Sequence, residues 1–359
     1  MRRLAGQVLG VVVAGALAAG MAGVASPAAA APERERWDTV VFSKVPAPGY
    51  PAYVLAHRNG RVYAGTYTNP QGDTQRSRVF EWSRTGALLR SWTVPHQDLQ
   101  AEHGVQVANQ DRHGRLVLLE KSRARVLTLN TENGKFRRWA TLPDLPDVEG
   151  EPIPNYATWG PGGALYVTDY GQAVIWKIPR RHPEKPRAWF TSDALYSPEF
   201  GTTGIRFRPG QRDLLITQGS TATDGSVPTD GKLYRLPIGD DGKPGELETL
   251  WTSLPGDLPD GFGIARSGRI YIATAGLSQQ IVVLSPEFEE VERFPETPGS
   301  GDNGSPIPFD TPSNATFLGR RILVANQSFT GDTSHHAVLD VYVGERGVAP
   351  YLPRRAFWR

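Results

Sequence analysis

One pattern recurs six times along the chain and narrows its possible folds more than any other feature. It is a short apolar strand, a tight turn that usually holds glycine, and a second strand of β-branched and aromatic residues. The copies occupy residues 53–64, 105–118, 156–169, 204–217, 261–273 and 315–325. From Gly60 to Gly114 is 54 residues, from Gly114 to Gly163 is 49, and from Gly268 to Gly319 is 51. The fourth copy replaces the turn glycine but sits near the middle of the 105 residues between Gly163 and Gly268. A period near 50 leaves room for four strands per unit. Third strands begin at Val79, Val126, Val174, Leu233, Ile281 and Val338, and aromatic-containing fourth strands lie at 136–139 and 247–251.

Four-stranded units that cannot bury their faces alone stack radially around an axis. The expected fold is therefore all-β, a six-bladed β-propeller of four-stranded antiparallel blades, occupying residues 32–359 as one domain. Residues 40–42 are the candidate strand that completes the last blade. A β-sandwich does not produce six in-phase copies. Abundant glycine and proline, scarce methionine and no amphipathic helix after residue 37 agree with many short strands.

The N-terminus carries a different signal. Arg2 and Arg3, the apolar stretch 8–24 and the small-residue run 26–31 have the layout of a secretory leader. An uncleaved membrane anchor is the other reading, and the glycines and Ala-rich exit favour cleavage and a secreted, extracellular protein. The chain has no cysteine, which removes disulfides, zinc–thiolate sites, iron–sulfur clusters and thiol nucleophiles. Losing residues 1–31 takes away two arginines and no acid, leaving a formal charge of zero. A neutral domain has no electrostatic case for binding nucleic acid or an anionic membrane.

Antiparallel order within each blade places the start of strand one and the connection between strands two and three on the same face. That face carries His103, Asn155, Thr203, Asp260 and Asn314 near the axis, with the long polar loops 68–77, 218–230 and 327–336. A scaffold with its long loops on one side presents a site there. Asp260 lies in a Pro-Asp-Gly turn and Asn155 follows Pro154, so each also has an ordinary turn reading. Converging on one axis, a carboxylate and amide oxygens suit Ca²⁺ or another divalent metal, with Asn314 as a further ligand. His103 is a candidate base for water activation or a pore-lining hydrogen-bonder. Asp169 reads as a strand-end cap, and His335 with His336 as a solvent-exposed pair lacking a third metal ligand. Residues 299–304 match a dinucleotide fingerprint but lack its strand-to-helix context, and no G-x-S-x-G elbow is present.

The segments 259–273 and 155–169 resemble the regucalcin–gluconolactonase (sugar lactone lactonase) family, and the resemblance runs through nearly all the chain after the leader. The resemblance implies a six-bladed propeller with a divalent metal, often Ca²⁺, in its central channel, and hydrolysis of lactones or related esters. Paraoxonases and strictosidine synthases share the architecture more distantly. Asp260 matches the family's metal-binding aspartate, and Asn155 the asparagine that lines the substrate pocket. Thr203 stands where an asparagine ligand is expected. The first-blade glutamate is absent, with Gly49, Tyr50 and Pro51 in its place.

The mechanism this implies has the metal polarise the carbonyl of a small-molecule lactone or ester. Water activated by Asp260 or His103 attacks, while Asn155 and Thr203 position the substrate. The competing reading is a non-catalytic extracellular propeller that binds a ligand or protein after losing part of its metal site. A metal-free enzyme in the strictosidine synthase manner is a third.

Overall fold

A computed structural model describes residues 33–67, 74–198, 200–226, 229–329 and 331–353. The expected leader lies outside the described residues, as do parts of the three long loops. No described helix is long and apolar enough to cross a membrane.

The described residues form twenty-four strands in six antiparallel sheets of four, and each sheet is one blade of a propeller. Five blades are continuous in sequence. The sixth joins Pro312–Leu318, Arg321–Asn326 and Ala337–Tyr342 to the early strand Thr39–Lys44, which pairs with Ala337–Tyr342 and closes the circle. The expected closing strand at 40–42 lies within it.

Burial falls from the axis outward. The innermost strands Val105–Gln110 and Pro154–Trp159 are buried at every residue. Outermost strands such as Leu88–Thr93 and Glu290–Phe294 are mostly exposed or half-buried and carry charges, including Arg90, Glu290 and Arg293. Charged outer strands discourage edge-to-edge pairing with other molecules. Between blades, Trp82, Trp159 and Trp176 are fully buried. Trp159 also donates its indole N–H to the Gln110 carbonyl of the preceding blade at 2.9 Å, so apolar filling and a polar tie act at one seam.

The repeat's turns behave as their residues require. Gly60, Gly114, Gly163, Gly268 and Gly319 all take positive φ. In the fourth copy Arg212 fills this position at φ +56°. A side chain there costs about 1 kcal/mol. Bonds from its guanidinium to the carbonyls of Ile238 (3.1 Å) and Gly239 (3.0 Å) hold it in place.

Candidate functional site

Each innermost strand begins with a residue paired to the last residue of the second strand: Pro51 with Thr66, Val105 with Glu120, Pro154 with Asp169, Thr202 with Gln218, Pro259 with Thr274, Pro312 with Asn326. The next residue along the innermost strand is Ala52, Gln106, Asn155, Thr203, Asp260 and Ser313 in turn, and these six form one ring around the axis. In every blade except the second, the register shifts just after the opening pair. Such bulges re-aim a side chain, here toward the axis.

A second ring lies one layer nearer the loops. Tyr67, Lys121, Tyr170, Gly219, Ala275 and Gln327 each follow the second strand. Each donates its backbone N–H to the carbonyl of the residue before the innermost strand: Tyr50, Gly104, Ile153, Gly201, Leu258 and Thr311. Both rings line a cavity of about 520 Å³. Its mouth has an apolar rim that includes Leu277, which is 72% exposed, and Phe200, 42% exposed. Bulky Tyr67, Lys121 and Tyr170 crowd one side, whereas Gly219 and Ala275 leave space above Thr203 and Asp260.

Beneath the lower ring the channel is plugged. Tyr53 and Tyr156 pack with ring centres 5.1 Å apart, and buried Arg206 donates to the Tyr53 hydroxyl at 2.6 Å. Gly261 permits this floor: a Cβ there would lie 2.7 Å from both Asn314 Nδ2 and the Tyr156 hydroxyl.

Hydrogen bonds run around the lower ring from blade to blade. Gln106 Nε2 donates to Asn155 Oδ1 at 2.8 Å, and Asn155 Nδ2 faces the Thr202 carbonyl at 3.4 Å. The Thr203 hydroxyl donates to the Pro259 carbonyl at 2.9 Å, and Ser313 to the Ala52 carbonyl at 2.8 Å. The series breaks at Asp260, because a carboxylate only accepts. Its Oδ1 is buried without a hydrogen-bond partner, as is Gln106 Oε1. Burial pushes the Asp260 carboxyl up to about 7, against the opposing pull of the Tyr156 hydroxyl and the Lys121 ammonium. Burial likewise brings Lys121 down to about 8, although Glu102, Asp260 and Asp169 favour its charged form.

The structure thus brings Asn155, Thr203 and Asp260 together at equivalent positions, and three other expectations need correction. His103 does not line the cavity. It is buried beside the second blade, with Nδ1 3.1 Å from the Ala101 carbonyl and Nε2 3.1 Å from that of Gln75, so it anchors loops. Gln106 holds the ring position expected of it. Asn314 is a floor residue; its Oδ1 accepts from the Val54 N–H at 3.3 Å, and Ser313 takes the ring position. His336 is buried against Tyr50, ring centres 4.2 Å apart, and His335 is half-buried and pairs with Asp310 at 2.9 Å, so the two are not an exposed pair. Asp169 caps a strand end as expected, accepting from the N–H groups of Ile153, Gly171 and Gln172 and from the Trp176 indole.

Sequence reasoning missed Ala52, Gln106, Ser313 and the whole upper ring. A usable signal was present: four of the six lower-ring residues follow a proline, namely Pro51, Pro154, Pro259 and Pro312. Proline suits the first residue of a strand, where no ladder hydrogen bond is lost.

The donor set does not fit the resident divalent metal that the resemblance implies. Calcium takes about six to eight oxygen ligands, carboxylates prominent among them. The lower ring holds one carboxylate, and no group of three or more His, Cys, Asp or Glu is placed to hold a metal among the described residues. Ala52 supplies no side-chain donor, and the Lys121 ammonium shares the cavity.

No protein-family model and no curated protein matches the sequence. Solved structures do match. Regucalcin from Agrobacterium tumefaciens, a calcium-binding protein, superposes with a TM-score of 0.58 at 17% identity, covering 88% of this chain and 99% of its own. Virginiamycin B lyase from Staphylococcus aureus gives 0.53 at 15% identity, covering 85% and 98%. A gluconolactonase from Xanthomonas campestris gives 0.50 at 17% identity, covering 86% and 98%. Regucalcin and gluconolactonase are the names the sequence resemblance points to, and at these identities the likeness establishes the fold.

Proposed function

We propose that this propeller, after export, opens small lactones or related esters in its central cavity, using Asp260 as base and no resident metal. One observation carries the reading: Asp260 lines the cavity with one carboxyl oxygen buried and without a hydrogen-bond partner, and that burial pushes its carboxyl up to about 7, where a general base works best. The gluconolactonase neighbour and the leader-like N-terminus support the substrate class and the export.

In this mechanism the substrate carbonyl lies over the ring with its oxygen toward Asn155, whose Nδ2 holds only the long bond to Thr202. Asp260 takes a proton from water as the water oxygen bonds to the acyl carbon. The tetrahedral oxyanion is met by the Asn155 amide. The acyl–oxygen bond then breaks, and Asp260 returns its proton to the leaving alkoxide. Thr203, fixed by Pro259, shapes the wall beside the base.

The test is a lactone and aryl-ester panel assayed with the leaderless chain, with and without chelator. Turnover that survives chelation and falls about 10²–10⁴-fold in Asp260→Asn supports the reading. Chelator-sensitive turnover, or an Asp260→Asn protein as active as the parent, overturns it. Ala52 in place of an acidic ring residue favours a second reading, a propeller that binds its ligand without turning it over. Saturable binding with no product from any panel member would select it.

A further inference from the structure

Lys121 takes no part in that mechanism, yet its surroundings are built. Its side chain is 2% exposed but lines the cavity. The ammonium donates to the Tyr67 hydroxyl at 3.1 Å and lies 4.2 Å and 4.7 Å from the ring centres of Tyr67 and Tyr170. The two tyrosine hydroxyls are 3.0 Å apart, and both donate to Glu102 Oε1. Glu102 is 3.9 Å from the lysine nitrogen, and its side chain is 37% exposed. A continuous path therefore leads from a buried amine, through Tyr67, to a carboxylate in contact with solvent. Burial holds both tyrosines well above the usual phenol range, so they stay protonated and pass protons without ionising. The remaining charges that act on the amine are the carboxylates of Asp260 and Asp169.

We propose that Lys121 is a nucleophilic amine that condenses with the carbonyl carbon of an aldehyde or ketone held in the cavity. The ammonium first passes a proton through Tyr67 to Glu102. The freed Nζ lone pair bonds to the carbonyl carbon, and the carbon–oxygen π pair moves to oxygen, which takes that proton back. The nitrogen's second proton then moves to the same oxygen, and the carbon–oxygen bond breaks as water departs. An ammonium and a carbonyl have become one protonated imine and one water. The two features a lysine nucleophile needs, a buried setting that disfavours its charge and an outlet for its proton, are both present. This activity is separate from ester opening and does not depend on it.

Reductive trapping tests it. The leaderless chain is incubated with benzaldehyde and sodium cyanoborohydride near pH 7, and the benzylated lysines are mapped by peptide mass spectrometry. A lysine near 8 carries roughly two orders of magnitude more free amine at that pH than an ordinary one. Labelling at Lys121 should therefore outpace Lys44, Lys135 and Lys243 by at least about tenfold. The preference should vanish when the chain is unfolded in urea. Tyr67→Phe should slow it by about tenfold, and Lys121→Arg should abolish labelling at that position while retaining charge. Labelling of Lys121 no faster than of those surface lysines in the folded chain overturns the proposal, as does a preference that persists in urea. Because the readout is a mass increment, it stands or falls apart from lactone turnover.

Discussion

Gln106 Nε2 donates to Asn155 Oδ1 at 2.8 Å, joining equivalent axial positions of two neighbouring blades. The bond fixes the orientation of both amides. It leaves Gln106 Oε1 without a partner and Asn155 Nδ2 with only a long contact to Thr202. Gln106→Leu removes the donor and leaves the Asn155 oxygen buried and unpaired, at a cost of about 1–3 kcal/mol. Urea denaturation should register that loss. In a lactone assay KM should rise as Asn155 loses its fixed orientation. An unchanged denaturation midpoint together with unchanged kinetics would remove Gln106 from the site.

Asp260 is expected to destabilise the fold it serves. Its folded carboxyl ionises at about 7 against an unperturbed value of 3.8, so folding favours the protonated form. The unfolded chain gives up this proton first, and stability therefore falls as pH rises from about 4 to about 7. Asp260→Asn removes that loss. It should be more stable than the parent at pH 8 by about 4 kcal/mol and show a flatter pH–stability curve, while losing activity. Denaturation curves at acid and alkaline pH decide the point; a variant less stable than the parent at pH 8 contradicts it.

Gly261 sits between the base and the floor. A Cβ at this position would fall 2.7 Å from Asn314 Nδ2 and from the Tyr156 hydroxyl, both in a closely packed layer. Gly261→Ala should cost about 1–3 kcal/mol through overpacking and displace Asp260 from its ring position. Thermal denaturation with a parallel activity assay would detect both effects. A fully stable and active alanine variant would mean that the floor yields freely.

The mismatch with a calcium site is open to a gain-of-function experiment. Ala52→Glu puts a second carboxylate into the lower ring, two blades from Asp260 around the circle. Added Ca²⁺ should raise the melting temperature of this variant, because a ligand that binds only the folded state stabilises it. The parent should show no such shift. A calcium-dependent shift in the parent would contradict the reading of its donor set.

The six-bladed fold was legible because it is written at one scale, a repeat near fifty residues punctuated by turn glycines. Even Arg212, which breaks the turn rule at φ +56°, did not disturb the period. The site was legible only in part, because it is written at the scale of single residues around a bulge. Asn155, Thr203 and Asp260 were found by counting from the start of the innermost strand. Elsewhere that count slipped: one residue in the sixth blade exchanged Ser313 for Asn314, and three in the second exchanged Gln106 for His103. Strand parity does not reveal where an extra residue enters a ladder. Lys121, Tyr67 and Tyr170 escaped notice for another reason. Each stands one place beyond an apolar second strand, where a charged or aromatic residue looks like an ordinary loop start. Only the radial stacking of three consecutive blades brings their loop starts into one cluster.

In the proposed mechanism Asp260 supplies the base for ester opening in a cavity without a resident metal. The most direct measurement is kcat/KM for lactone opening from about pH 5 to about pH 8, in chelator and corrected for spontaneous hydrolysis. Only the carboxylate is active as base, so kcat/KM should rise about tenfold per pH unit and level off near 7, and the rise should be missing in Asp260→Asn. A profile without a limb near 7, or activity that disappears in chelator and returns with Ca²⁺, would contradict it.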